Sequence, residues 1–296
     1  MHKSALFGVA VFVSFGCASL AAEFQSIELR TGARATGVEL KCAELLKARL
    51  TELGGPTVRI VSENDAGAGS GAGLIVLFGI PSHHDAMGAR FDAERITPLT
   101  ERDPGPEGVL VRSFFGSPQP LLIAAAIDQR GALYAAGEVL RQAIVNPDSV
   151  TFTDALNIRT APAFEVRGTQ FGQSGVAKRV AQVRDWTEEE TQRDILDSAL
   201  AGANTFDVAA GPLFDFIKSF DLMTQDNYNP NAGSGPPEWQ AKESIGRTNY
   251  LCPSVPEARA ALIENCRSYF ANAPSFDFVK LVGGDGGGCE CDKCTP

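Results

Sequence analysis

The sequence predicts an α/β chain in two parts: a small α+β N-terminal domain over residues 23–160, then the first half of a (β/α)8 TIM barrel over residues 161–296. Three observations predict it. Strand-like apolar runs cluster with two helical stretches before Thr151, strand and helix alternate after Ala163, and the alternating part holds four strands where a closed barrel needs eight. An open four-stranded α/β sheet is the alternative for that second part.

Residues 1–22 stand apart. Met1-His2-Lys3 is basic, Ala5 to Phe15 is an uncharged apolar run, and Cys17-Ala18-Ser19-Leu20-Ala21-Ala22 is a stretch of mostly small residues. This pattern reads as a signal peptide cleaved near Ala21 or Ala22, which implies a secreted or periplasmic protein. The run is too short for a membrane span, and no later segment is apolar enough, so no membrane association is expected after signal cleavage. A lipoprotein attached through Cys17 is disfavoured because Ser14-Phe15-Gly16 lacks the aliphatic residue such sites carry. With 44% hydrophobic residues the remainder has enough apolar content for real cores, and a formal charge of -10 without a Lys/Arg stripe excludes nucleic acid as the natural partner.

In the first part, Phe24 to Leu29 reads as a strand. Leu40, Leu45, Leu46, Leu50 and Leu53 recur at helical spacing over Val38 to Leu53, with Gly54-Gly55 as the stop. Val58 to Val61, Leu74 to Ile80, Val109 to Phe115 and Leu121 to Ile127 follow as strands, and Gln129 to Ile144 as a second helix. The expected arrangement places the helices on one side of the sheet. Gly67 to Gly73 lacks the Gly-Lys-Ser/Thr of a phosphate loop and reads as a flexible connection, and His83-His84 as a solvated strand-end pair.

Thr151 to Pro162 reads as an extended linker. Beyond it the expected elements are a strand at Phe164 to Phe171, a helix at Thr187 to Ala201 opened by a Thr187/Glu190 capping box, and a strand at Thr205 to Ala209. A helix at Leu213 to Lys218, a short strand at Phe220 to Met223, a helix at Val255 to Phe270 and a strand at Phe276 to Val282 complete it. The long loop Thr224 to Cys252 carries Tyr228, Trp239 and Tyr250, whose rings suit stacking on sugars or simple anchoring. The end of the chain joins Gly283-Gly284-Asp285-Gly286-Gly287-Gly288 to Cys289-Glu290-Cys291-Asp292-Lys293-Cys294, and three thiols so close together suit a soft metal better than a fold brace. Cys42 and Cys266, on helical stretches, read as buried small hydrophobes.

Two stretches resemble secreted glycoside hydrolases that place an α+β domain before a (β/α)8 barrel, namely the β-hexosaminidases of family 20 and the α-glucuronidases of family 67. Ile127-Asp128-Gln129-Arg130-Gly131-Ala132-Leu133-Tyr134-Ala135-Ala136 is similar to the last helix of their small domain, and Ala163-Phe164-Glu165-Val166-Arg167-Gly168 to their first barrel strand. The family 20 resemblance implies that Arg167 holds sugar hydroxyls. Its guanidinium fork suits that task, and pairing with a core-edge acid is the alternative. Family 20 ends its fourth strand in His-x-Gly-Gly-Asp-Glu. Here Asp285 matches, but the His and the general-acid Glu do not, since Gly286 stands at the Glu position. Hydrolysis needs two carboxylates flanking the bond, so the resemblance implies that at least one lies on strands beyond Pro296.

The cysteine run resembles less characterised α-glucuronidase-like proteins, in which a similar run follows a segment like Cys252-Pro253-Ser254. That resemblance implies a set of Cys252, Cys289, Cys291 and Cys294 at the C-terminal face of the barrel. Structural zinc on four thiolates and a disulfide, for instance Cys252 with Cys289 or Cys294, both remain open. The function this implies is the N-terminal portion of an exported glycoside hydrolase acting on poly- or oligosaccharides, inactive as a fragment, with Asp285 touching substrate and Arg167, Tyr228 and Trp239 binding it. A noncatalytic carbohydrate-binding or zinc-stabilised scaffold protein is the alternative.

Overall fold

The computed structural model describes residues 21–294 apart from 53, 66, 69, 70, 72, 154, 170–185, 243–249 and 283–288. The predicted leader up to residue 20, and Asp285, therefore lie outside the described residues. The chain enters through β1 (Ala21–Phe24) and turns at Gln25 into β2 (Ser26–Thr31). The single strand expected at Phe24 to Leu29 is thus two strands, and they belong to different sheets.

After β2 come helix α1 (Gly37–Glu52), β3 (Thr57–Ser62), β4 (Leu74–Gly79), helix α2 (Asp85–Ala93), β5 (Val109–Phe114), β6 (Leu121–Ala126) and helix α3 (Gln129–Gln142). Then follow β7 (Ile144–Asn146), β8 (Ser149–Thr153) and β9 (Asn157–Thr160). Six strands form one sheet in the order β3-β2-β4-β6-β5-β9, while β1, β8 and β7 form a small one. β3, β2, β4 and β6 run parallel, and β5 lies antiparallel to both β6 and β9. The expected linker at Thr151 to Pro162 is therefore largely strand, because β8 pairs with β1 and β9 closes the sheet edge.

Helices cover both faces of this sheet, which corrects the one-sided expectation. Leu74, Val76 and Phe78 join the core containing α1 and α3, while Ile75 and Leu77 meet Met87 and Phe91 of α2. Burial on both faces explains why β4 is apolar at every position. On α1, Leu40 faces solvent at 43% exposure and Glu39 is buried in its place. The Glu39 carboxylate accepts from Thr36 N and Ile80 N and contacts His83 Nδ1 at 2.7 Å.

The His83-His84 pair is not a solvated loop either. His84 is wholly buried and caps α2, with Nδ1 2.8 Å from Glu63 Oε2 and Nε2 3.1 Å from the Arg30 carbonyl. Burial works against charge on Glu63, but the backbone N–H groups of Ala86, Ala33 and Asp85, with His84, outweigh it and hold the carboxyl at about 2. Burial also pulls His84 down, against the raising influence of Glu63.

The second part contains β10 (Gly168–Thr169), helix α4 (Glu188–Leu200), β11 (Thr205–Asp207), helix α5 (Pro212–Lys218), β12 (Met223–Tyr228), helix α6 (Pro256–Asn272) and β13 (Phe278–Leu281). The four strands lie parallel in the order β10-β11-β12-β13. The Thr187/Glu190 capping box on α4 is present as expected. The strand expected at Phe220 to Met223 begins only at Met223, because Asp221 turns the chain at φ 59° and Phe220 and Leu222 instead fill the core. Among the described residues no helix is long and apolar enough to cross a membrane.

One apolar core runs through both parts, from Leu29 and Phe78 through α3 to Ile195, Ala199, Phe206 and Ile217. Helix α3 is the hinge of this packing, buried continuously from Gly131 to Val139. A Cβ at Gly137 would stand 2.1 Å from the Leu200 carbonyl oxygen, so the glycine lets α4 end directly against α3. Alanine gains about 1 kcal/mol in an exposed helix, but a backbone clash of this kind outweighs that gain. Gly137→Ala is expected to destabilise by about 1–3 kcal/mol in urea unfolding.

A second expectation concerns acid. Glu63 has a folded pKa below its unfolded value of about 4.3, so its stabilisation is complete above that value and is lost as pH falls toward 2. Unfolding curves at descending pH should show this loss in the wild type, and Glu63→Gln should flatten it.

Candidate functional site

The C-terminal ends of the parallel strands carry the thiols. Cys252 lies after the β12 connection and donates its N–H to the Trp239 carbonyl at 2.7 Å, while Cys289, Cys291 and Cys294 follow β13. The four Sγ atoms all lie within 4.8 Å of one another, with Cys252 buried and the others half-buried. Cys252 Sγ is 3.7 Å from both Cys291 Sγ and Cys294 Sγ.

These separations are compatible with a metal site. A disulfide holds its sulfurs at about 2.0 Å, whereas Zn–S bonds of about 2.3 Å set tetrahedral sulfurs about 3.8 Å apart. The four cysteines could hold a metal ion. Polar groups support it: Lys242 N donates to Cys289 Sγ at 3.3 Å, and Ser254 Oγ lies 2.9 Å from Cys294 Sγ. The Lys293 N–H, then the neighbouring thiols, hold Cys291 down at about 6, while burial pushes Cys252 up to about 12.

Arg167 sits elsewhere, immediately before β10 and so at the N-terminal ends of the parallel strands. Its Nε donates to the Gly202 carbonyl at 2.7 Å, its Nη1 to the Phe164 carbonyl, and its Nη2 to Tyr134 Oη at 2.9 Å and to Glu107 Oε2. This is the pairing with a core-edge acid. Glu107 also meets Arg130 Nη1 at 2.9 Å and Asn204 Nδ2 at 3.2 Å. Two cavities of about 350 and 310 Å³ flank this knot, and Glu107, Pro162 and Arg167 line both.

The aromatic candidates each pack against other side chains. Tyr228, at the end of β12 rather than in a loop, stacks on Tyr269 with ring centroids 4.4 Å apart. Trp239 packs against Leu251, Ala258 and Leu262, and Tyr250 is buried with its hydroxyl 3.0 Å from Asn229 Nδ2. Cys42 is buried as expected, but Cys266 is half-exposed beside Tyr228. Asp285 falls outside the described residues, so Arg167, the thiols and Asp285 do not form one described constellation.

Sequence reasoning missed Glu107 and Asn204, which carry the junction. Glu107 lies in a Pro-Glu-Gly turn that reads only as loop, with φ 57°, and nothing local signals its distant partners. It also missed the polar face of the parallel sheet. The β11–β12 register places Asp207 beside Gln225, and Asn227 Nδ2 donates to both Asp207 oxygens at 2.8 and 2.6 Å.

No family model and no curated protein matches the sequence. Solved structures do. A chitobiase from Flavobacterium johnsoniae is similar over 90% of this chain and 44% of its own, at 12% identity and a TM-score of 0.54. A family GH115 4-O-methyl-α-glucuronidase with specificity for decorated arabinogalactans is similar over 92% of this chain and 37% of its own, at 11% identity and a TM-score of 0.53. The chain thus has a glycosidase-like mixed α/β fold and spans less than half the length of these two structures.

The junction makes a stability prediction. Removing one member of a buried ion pair costs about 3–5 kcal/mol, so Glu107→Ala should destabilise by that amount in urea unfolding. Arg167→Lys should fail to restore the wild-type midpoint, because an ammonium cannot reach Gly202, Tyr134 and Glu107 together.

Proposed function

We propose that this chain is the N-terminal portion of an exported glycoside hydrolase acting on poly- or oligosaccharides, built as an α+β domain over residues 23–160 and the first half of a (β/α)8 barrel over residues 161–296. The observation that carries the reading is the strand order. Four parallel strands in consecutive order are what a barrel uses, whereas nucleotide-binding sheets reverse order at a switch point. The likeness to two glycoside hydrolases over about nine-tenths of the chain supports it. The apolar leader supports export. Asp285, on the motif after β13, is the carboxylate proposed to touch substrate, and Arg167 is assigned to the junction on the strength of its protein partners.

The four cysteines are proposed to bind structural zinc. Four thiolates leave no open coordination position, so the ion stiffens the loops after β12 and β13 and takes no part in bond breaking. A noncatalytic carbohydrate-binding scaffold is the second reading, favoured by Gly286 at the position where family 20 has its general acid.

Turnover separates the two readings. The complete gene product should release sugar from chitobiose or from decorated arabinogalactan oligosaccharides; binding without release supports the scaffold. Metal analysis should find one zinc per chain, and chelation should lower the melting temperature. Ser254→Ala, which removes a contact to Cys294, should weaken zinc affinity about 10–100-fold. Zinc-free protein with all four thiols oxidised would rule the metal out.

A further inference from the structure

We propose that Arg112 and Arg90, held over the ring of Phe114, form a surface site for the carboxylates of a uronate-bearing polysaccharide; this rests on the carbohydrate reading above. The site lies on the N-terminal part, on the sheet face opposite α1 and α3. Val109 and Val111 of β5 enter the large core that continues into Ile195 and Phe206. Leu110 enters the smaller core with Met87 and Phe91 of α2, and Phe114 packs against that same core. Strand alternation puts Arg112 between them on this second face. Arg112 stands beside Ile123 of β6 and Asn157 of β9, and Phe114 beside Leu121.

The two guanidiniums are positioned but incompletely satisfied. Arg90 Cζ lies 4.7 Å and Arg112 Cζ 5.2 Å from the centroid of the Phe114 ring. A ring attracts the charge but offers the N–H groups no lone pair. The Arg112 guanidinium has no hydrogen-bond acceptor among the described residues, and Arg90 Nε is buried without one. Arg90 Nη2 meets Glu94 Oε1 at 3.1 Å, a partly exposed i,i+4 pair. Such a pair is weak and exchanges for a better-placed carboxylate. In a chain of formal charge -10, two guanidiniums sharing this one acid make a locally cationic spot.

The surroundings select the kind of anion. A guanidinium fork meets a carboxylate through two parallel N–H bonds, and contact with a ring holds the fork ready for it. Leu99 and Leu121, half-buried in the same small core as Phe114, give the C–H face of a sugar an apolar floor. Asn157, exposed beside Arg112, adds an amide donor and acceptor for hydroxyls. A uronate unit presents all three matching groups: a carboxylate, an apolar ring face and hydroxyls. The site would tether the chain to an acidic glycan at a distance from bond breaking.

Calorimetric titration of the full chain with polygalacturonate oligomers tests the site. Arg112→Ala and Arg90→Ala should each weaken binding about 10-fold, and Arg112→Lys should recover only part of the loss because an ammonium lacks the fork. Added salt should weaken wild-type binding. Lys47→Ala, on α1 across the sheet, should leave it unchanged. Arg112→Gln keeps much of the stem on Phe114 and removes the charge, so it decides the matter even where an alanine variant fails to fold. Wild-type affinity in both Arg112→Gln and Arg90→Ala overturns the site, as does failure of the wild type to bind polygalacturonate. Equal binding of neutral dextran, or of polyglutamate, overturns the assignment to an acidic glycan. Each of these failures leaves the glycosidase reading standing, since sugar release by the complete gene product tests that separately.

Discussion

Glu107 is the point on which the two parts of the chain turn. Its carboxylate is almost withdrawn from solvent and meets Arg167 and Arg130. A buried charge of this kind is tolerable only when paired and hydrogen-bonded. Asn204 contributes to Glu107 through Nδ2, and through Oδ1 it accepts from Arg167 N at 2.8 Å, so the same side chain fixes the starts of β10 and β11. Glu107 N in turn donates to Asp128 Oδ2, while Asp128 Oδ1 caps α3 at Gly131. One turn therefore ties the six-stranded sheet, the central helix and the parallel strands together.

That knot assigns opposite duties to the two ends of the parallel sheet. The N-terminal ends are closed by charge pairing and by α3 packed against α4, with Gly137 making the close approach possible. The C-terminal ends carry the thiols and the Asp207–Asn227 pair. Ion pairs and packing hold one end, and at the other the described residues of the long connections pack on a small cluster of Leu251, Ala258 and Leu262. A four-thiolate centre is a fitting brace where a small core gives limited support.

Much of the fold was legible because its signals are local. The Thr187/Glu190 box, the glycine stop after α1 and the apolar run of β4 all act through residues near in sequence. The misses share the opposite cause. His84 read as solvated because its partners Glu63 and Arg30 lie on other strands. Helix α2 went unseen because its buried contacts are only Met87 and Phe91, too few for a clear period. The stretch Thr151 to Pro162 read as linker because its pairing partners, β1 and β5, are distant in sequence.

The sequence by itself determined the alternation of strand and helix and the set of cysteines able to act together. Only the tertiary structure decided which guanidinium is committed to which acid, and that Cys252 meets Cys291 and Cys294 at 3.7 Å. It also decided that Asn227 donates to Asp207 across β11 and β12. Alternation follows from the repeat of the backbone itself, whereas these pairings depend on strand register and on how α3 seats the second part against the first.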